Sequence, residues 1–466
     1  MVYSEIVSIV ISVFTTIFSL VLFHYLVFGV VGLFTKKKYP KTEDKKKYGI
    51  IIPARNEDKV VGNLIKSIYA NNYPQDKLQI FVIAHNCSDN SAEVARSLGA
   101  NVYEYNNENE RTKGYALKYL FEQIDKDFGI SSFDGFMFFD ADNILSNDYI
   151  DKMNDAFVAE GGKCIITSYR NSKNFGSNII SAWYGLFFMS ACRFESRGRT
   201  VCNCSTRVQG TGFVASSKHL ANGWNYVTLT EDWEFTADQI LAGTKLKYCD
   251  DAIFYDEQPI SFKVLIRQRI RWDRGHWLVF LTRSKLLCKK LFSKKSKKET
   301  LDMGFSYYDI FINTLPISVL STTFLILQAF LLLFAPIFQS DVASAWAGWA
   351  VSLGSSVLGL YVSFTIASIL TYLLEAKRIR HVKPWLKVVS ALTWPIFMII
   401  NIPLEFVAIL SKNVTWKTIP HVDATTIESL HAKHKVRSPK SKETREEKKA
   451  KRGKKRPAYS SPMLIR

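Results

Sequence analysis

The chain has 466 residues, 47% of them hydrophobic, and a formal charge of +19, which together exclude a disordered or fibrous protein and a single ordinary domain. The charge is uneven: the last 55 positions hold 16 basic and 5 acidic residues, so +11 of the +19 belongs to a tail. A basic surface spread over the whole body, as nucleic-acid binding would require, is therefore excluded.

From the N-terminus, residues 6–34 form an apolar run longer than the ~20 residues that cross a bilayer. No basic residue precedes it and it exceeds a signal-peptide core, so residues 1–35 are read as an uncleaved anchor. Lysines 36–38 and 45–47 follow at once. Positive charges of this kind stay in the cytoplasm, which places the N-terminus outside and residues 36–299 inside. All seven cysteines fall in that stretch and are read as free, reduced thiols. Cys202 and Cys204 are one residue apart, and no second pair completes the spacing of a zinc site.

Residues 48–53, 78–84, 135–139 and 163–168 are apolar runs bounded by polar clusters, separated by helix-length patterns at 58–70, 91–98 and 112–124. That alternation predicts an α/β domain with a mostly parallel sheet covered on both faces. Ligands of such sheets bind beyond the carboxyl ends of the strands. The text there is rich in polar groups: Pro53-Ala54-Arg55-Asn56-Glu57, His85-Asn86-Cys87-Ser88-Asp89 and Asp140-Ala141-Asp142-Asn143. Asp140 and Asp142, one residue apart at a strand end, project to one side and offer hard oxygen ligands for Mg2+ or Mn2+. Asp125 and Asp127 share the spacing but sit in a polar helix end, where a solvated surface explains them.

Further along, Thr230-Glu231-Asp232 opens a predicted helix with Thr230 as its cap. Acids in a first turn also serve the helix dipole, so this motif alone is ambiguous. Gln268-Arg269-Ile270-Arg271-Trp272 then places an indole among cations, which suits sugar stacking plus phosphate pairing. A basic amphipathic helix on the membrane surface has the same composition, and the two readings are compatible.

Taken in order, Asp-x-Asp, Thr-Glu-Asp and Gln-x-x-Arg-Trp resemble the processive family 2 β-glycosyltransferases, the group of cellulose, chitin, hyaluronan and mixed-linkage glucan synthases. The resemblance spans residues 48 to about 281 and the membrane layout. It implies a GT-A type domain, with a mixed, mostly parallel sheet, joined to an α-helical transmembrane region, and inverting transfer from a UDP-sugar. It further implies Asp140 and Asp142 as metal ligands and Asp232 as general base. Ala54, Glu57, Asp89, Lys113, Gln268, Arg269 and Arg271 would contact the nucleotide sugar. Gly210, Thr211, Gly212, Glu231 and Trp272 would form the acceptor site. The family carries an acid where this chain has His85, so that histidine is read either as a structural group at a strand end or as a uridine contact.

Apolar runs at 309–338, 345–374 and 385–410 complete the chain. Three further crossings would leave the basic tail outside, against the positive-inside rule, whereas two keep it inside. The run at 385–410 contains Pro395 and Pro403 and follows a basic stretch, so residues 375–411 are read as an interfacial or re-entrant helix, after an interfacial segment and two transmembrane helices in 282–374. Val414, Thr415 and Lys417 resemble the Val-Thr-x-Lys core of the cellulose synthase gating loop, here assigned to 412–430. Residues 431–466 are a basic low-complexity tail, suited to anionic lipid headgroups or simply solvated. The expected protein is a multi-pass plasma-membrane enzyme with a cytoplasmic catalytic domain, 36–281. It would polymerise and export a β-glucan such as cellulose or mixed-linkage glucan from UDP-glucose, with Mg2+ or Mn2+, the growing polymer, the bilayer and an oligomeric or accessory partner, and no nucleic acid. A different polymer, containing N-acetylglucosamine or hyaluronan-like, is one alternative; transfer of one sugar to a lipid carrier, or a catalytically dead membrane scaffold or basic nucleic-acid-binding protein, are the others.

Overall fold

The apolar runs become strands whose residues alternate between two cores. In the computed structural model, residues 2–293, 300–338, 341–379, 382–411, 414, 419, 421 and 423–432 are described. After helix α1 (Val2–Phe34), strand β1 (Tyr48–Ala54) sends Ile50 and Ile52 into one layer and Ile51 into the other, as the period of 2 dictates. Each fully buried aliphatic side chain of this kind contributes about 1.5–3 kcal/mol. The domain continues through α2 (Val61–Tyr69), β2 (Leu78–His85), α3 (Ser91–Ser97), β3 (Asn101–Tyr105), α4 (Lys113–Asp127), β4 (Gly135–Phe138), β5 (Ile144–Leu145), α5 (Tyr149–Ala159) and β6 (Ile165–Ser172). Then come α6 (Ile179–Ser190), α7 (Arg197–Val201), β7 (Phe213–Ser216), α8 (Glu231–Leu241), β8 (Leu246–Asp256) and α9 (Phe262–Leu291).

The eight strands form one sheet in the order β3-β2-β1-β4-β7-β6-β8-β5. The first four are mutually parallel, β6 pairs parallel with β8, and β7 and β5 run antiparallel to their neighbours. The expected mixed, mostly parallel sheet is what forms, and the carboxyl ends of β2, β1 and β4 lie side by side. Four strands that the sequence pattern did not mark, β3, β5, β7 and β8, carry the sheet past the four it did.

Beyond α9 the helices are α10 (Thr300–Thr314), α11 (Ile317–Leu332), α12 (Val342–Leu374), α13 (Pro384–Ile399) and α14 (Asn401–Leu410). Val342–Leu374 and Pro384–Leu410 are long and apolar enough to cross a membrane, and Ser19–Phe34 is a shorter apolar helix. The run expected at 309–338 is not straight: Met303–Thr314 and Ile317–Leu332 meet at 57°. Pro316 explains the break, since it has no N–H to donate and pushes Leu315 out of the helical region. Residues 425–466 count as a separate unit, of which 425–432 are described and carry one short helix, α15 (Ile427–Ala432).

Buried charges fasten the helices to the sheet. Asp250 on β8 accepts two hydrogen bonds from Arg197, each 2.8 Å, and one from Arg378 at 2.9 Å. Glu375, just past α12, accepts from Arg193, Arg378 and the Tyr169 hydroxyl, each at 3.1 Å. Arg193 also donates to the Leu33 carbonyl at the end of α1. Burial opposes the charge on Asp250, but Arg197 and Arg378 outweigh it and hold the carboxyl well below its ordinary range. All seven cysteines are free thiols.

Candidate active site

The polar clusters after β1, β2 and β4 converge on a cavity of about 300 Å3. Ala54, Glu57, Lys113, Asp140, Asp142, Gly210, Glu231, Asp232, Gln268, Arg271 and Trp272 all line it. Residues separated by more than 200 positions meet there because α8 and α9 fold back over the strand ends.

Lys113 is the hub. It is the first residue of α4, and Gly114 beside it lets the helix start against the chain at Tyr226, where a Cβ would lie 2.2 Å from the carbonyl oxygen. Its ammonium donates to Asp140 at 2.5 Å and to the Gly210 carbonyl at 2.8 Å, and stands 3.8 Å from Glu231. Burial works against that charge, but Asp140 and Glu231 hold it above the ordinary lysine value.

Asp142 is buried and accepts the Glu257 backbone N–H at 2.7 Å and the Asn143 amide at 3.2 Å. Burial again opposes ionisation, and the charges of His421 and Lys173 reverse the balance, so the carboxyl stays below its ordinary value. Thr211 braces this loop, accepting the Asp140 N–H at 2.9 Å and donating to Asn143 at 2.5 Å. Gly210 and Gly212 flank it at φ +80° and +67°, and Phe254 leaves no room for a Cβ at position 212.

Glu231 and Asp232 begin α8. Burial raises both carboxyls, Glu231 to about 7, while Lys113 acts the other way. Opposite them, Arg271 donates to the Leu229 carbonyl at 2.8 Å. Gly275 permits the approach of α9, since a Cβ there would lie 2.1 Å from the Thr230 hydroxyl. Trp272 packs edge-on to Tyr184 and Phe188, ring centroids 6.1 and 6.2 Å away, which fixes the plane of an indole at the cavity wall.

Some predicted residues lie elsewhere. Arg269 donates to Asn401 at 2.8 Å and stacks over Phe397 at 3.8 Å, so it ties α9 to α13 and α14 and does not line the cavity. Arg271, two positions on and about 200° round the helix, faces the cavity instead. Asp89 accepts from Ser91 and from the Asp58 N–H at 3.0 Å, bracing the β2 loop against the β1 loop. Thr211 and Gly212 support the cavity from behind. His85 lines the cavity while donating Nε2–H to the Glu110 carbonyl at 2.7 Å, and burial lowers its pKa. Val414 does not line the cavity, and Thr415, Lys417 and the tail from 433 on lie outside the described residues.

The cavity also contains groups that the motifs did not signal: Arg170, Arg207, Asp256, Glu257, His276 and His421. Arg170 pairs with Asp256 at 2.5 Å, and burial still pushes that carboxyl up to about 6. Among the described residues no cluster of three or more His, Cys, Asp or Glu side chains forms a closed metal cage. Two carboxylates on an open cavity wall are instead the donor set suited to Mg2+ or Mn2+ that completes its coordination with phosphate oxygens.

Residues 46–275 match the family described as "Glycosyltransferase like family 2". They are a family 2 glycosyltransferase domain. A Bacillus subtilis (strain 168) protein named "Probable glycosyltransferase YdaM" is 25% identical over 273 residues, 57% of this chain and 63% of its own length. A "Poly-beta-1,6-N-acetyl-D-glucosamine synthase" of Staphylococcus aureus (strain COL) is 25% identical over 236 residues, 50% of this chain and 55% of its own. The chain thus spans a little over half the length of these curated relatives. The mannosyltransferase PcManGT from Pyrobaculum calidifontis, solved in complex with GDP-Man and Mn2+, superposes with a TM-score of 0.54 at 15% identity, covering 80% of this chain and 98% of its own. The glycosyltransferase domain therefore has the GT-A type of fold, joined to helices apolar enough for membrane association.

Proposed function

We propose that the chain is a membrane-bound inverting glycosyltransferase that builds a β-linked polysaccharide from a UDP-sugar and exports it. One observation carries the reading: a single cavity gathers Asp140, Asp142, Lys113, Asp232, Gln268, Arg271 and Trp272. Trp272 offers the acceptor sugar a flat apolar face, and Glu231 shapes the pocket beside it. Asp232 then takes the proton of the acceptor hydroxyl as that oxygen attacks the anomeric carbon, and its raised pKa makes it a better base than an exposed aspartate. The bond from the anomeric carbon to the diphosphate oxygen breaks, and UDP leaves. Lys113 and Arg271 place positive charge where that negative charge develops. Asp140 and Asp142 would hold Mg2+ or Mn2+, which supplies further charge neutralisation when bound. In this reading residues 36–281 face the cytoplasm and α12 crosses the bilayer, with α13 and α14 lying at its interface.

The sequence resemblance favours a β-glucan made from UDP-glucose. The relative named as a poly-N-acetylglucosamine synthase favours an N-acetylglucosamine polymer. Membranes containing the chain should incorporate label from one of the two UDP-sugars into high-molecular-weight product, and Asp232→Asn should abolish it. A lipid-extractable single-sugar product would replace polymerisation by transfer to a carrier. No incorporation from either donor would sink the reading.

A further inference from the structure

We propose that Arg207 is a positioning residue for sugar transfer and that helix α1 sets its place, so that the helix read as a membrane anchor is a working part of the active site. The inference rests on the transfer reading above. Anchoring needs only apolar surface, and ionisable groups buried against such a helix are costly. Yet His24 and Tyr25 on α1 meet a buried polar chain. His24 Nε2 is 3.2 Å from Asp309 Oδ1 on α10, which also accepts from Arg199 at 3.0 Å. Glu195 Oε2 pairs with Arg199 at 3.2 Å and with Arg207 at 2.7 Å. Asn313, one turn along α10 from Asp309, joins the two ends: its side-chain oxygen accepts the Tyr25 hydroxyl and the Arg207 guanidinium, each at 2.9 Å. Arg199 and Asp309 are 1% and 7% exposed, so solvent screens their pairing little. Gly198 on α7 allows the approach, since a Cβ there would lie 2.1 Å from the Phe28 carbonyl oxygen on α1.

Arg207 is the member of this chain that reaches the cavity. Glu195 already matches its charge, so it is not a spare cation for a diphosphate. Its guanidinium lies 5.5 Å over the Trp233 ring, and the His276 ring is 4.2 Å from the same indole. Trp233 follows Asp232 directly in the first turn of α8. Whatever fixes that indole therefore fixes the helix end that presents the base. Tyr25 is one shared hydrogen-bond acceptor away from Arg207, and Arg207 is one contact away from Trp233.

The test uses the full chain in membranes with Mn2+ and whichever of UDP-glucose and UDP-N-acetylglucosamine the wild type transfers. Arg207→Lys should lower kcat by about 10–10²-fold and Tyr25→Phe by about 3–10-fold, with the KM for the UDP-sugar unchanged. Because both act through one arginine, the double variant should be no slower than Arg207→Lys alone, whereas independent effects would multiply. Tyr308→Phe removes another hydrogen bond between α10 and α1, from the Tyr308 hydroxyl to the Val21 carbonyl at 2.8 Å. That bond lies outside the chain to Arg207, so kcat should hold. Losses that multiply, equal losses in the two tyrosine variants, or a raised KM in place of a lowered kcat would each overturn the proposal. If Arg207→Lys does not fold, the two tyrosine variants decide alone. A wild type that transfers neither sugar defeats the transfer reading and this proposal together, while an active wild type matched by Tyr25→Phe defeats this proposal only.

Discussion

Two regions of the molecule bury carboxylates beside arginines, and they treat them oppositely. At the seam between β8 and the end of α12, Asp250 and Glu375 receive hydrogen bonds from Arg193, Arg197, Arg378 and Tyr169. In the cavity, Glu57, Glu231 and Asp232 are pushed upward by burial, and Glu57 Oε2, Gln268 Oε1 and Thr230 Oγ1 have no protein partner. Paired charge with filled valences is a fastening. Carboxylates left short of partners are poised for a ligand.

The sharpest way to break the contrast is Asp232→Asn, which should lower turnover by about 10²–10⁴-fold without lowering the unfolding temperature, since a destabilised buried charge is removed. Sugar transfer and a melting curve on the same preparation decide it. At the seam, Asp250→Asn should do the reverse. Stranding Arg197, while Arg378 keeps Glu375, costs about 3–5 kcal/mol of stability, read by denaturant unfolding, while turnover per folded molecule holds. Gly275→Ala tests the boundary between the two regimes. Its methyl must displace Thr230, so we expect about 1–3 kcal/mol of lost stability and up to about 10²-fold slower transfer from misplaced groups.

The smallest effect is in pH. Asp250 has a depressed folded pKa, so its contribution to stability is present above the unfolded carboxylate value of about 4 and is lost as pH falls through the folded value. Glu231 has a folded pKa raised to about 7, so the folded state prefers its proton and loses stability as pH rises from about 4 to about 7. Glu231→Gln should therefore melt higher than wild type at about pH 8 and almost the same at about pH 5. Equal melting at both would show that Glu231 ionises freely. The activity profile carries the same sign. In the proposed mechanism Asp232 acts unprotonated, so the acid limb of kcat/KM should lie above the ordinary aspartate range.

Sheet and motifs were legible because both are local. Apolar runs bounded by polar clusters marked β1, β2, β4 and β6, and Asp140 and Asp142 follow directly from a strand end. Arg269 lies off the cavity for a geometric reason. It sits within the Gln-x-x-Arg-Trp motif, but which side of α9 meets the cavity is set by the packing of α13 and α14, and no pattern inside the motif encodes that. Asp89 likewise spends its oxygens on Ser91 and Asp58. His421 was invisible because its partner Glu57 lies 364 positions away, and a lone histidine in a polar segment carries no periodicity. The bend at Pro316 could have been read, since a proline inside an apolar run argues against an unbroken helix.

Two close approaches described above have different evolutionary futures. At Gly275 the obstacle is the side chain of Thr230, so a lineage that gains a methyl at one position can recover by trimming the other, and the pair should drift together. At Gly114 the obstacle is the backbone of Tyr226 and Val227, which every amino acid carries. No second substitution can clear that space, so the start of the helix that presents Lys113 is closed to drift. Variation in this enzyme has to be accommodated around that point.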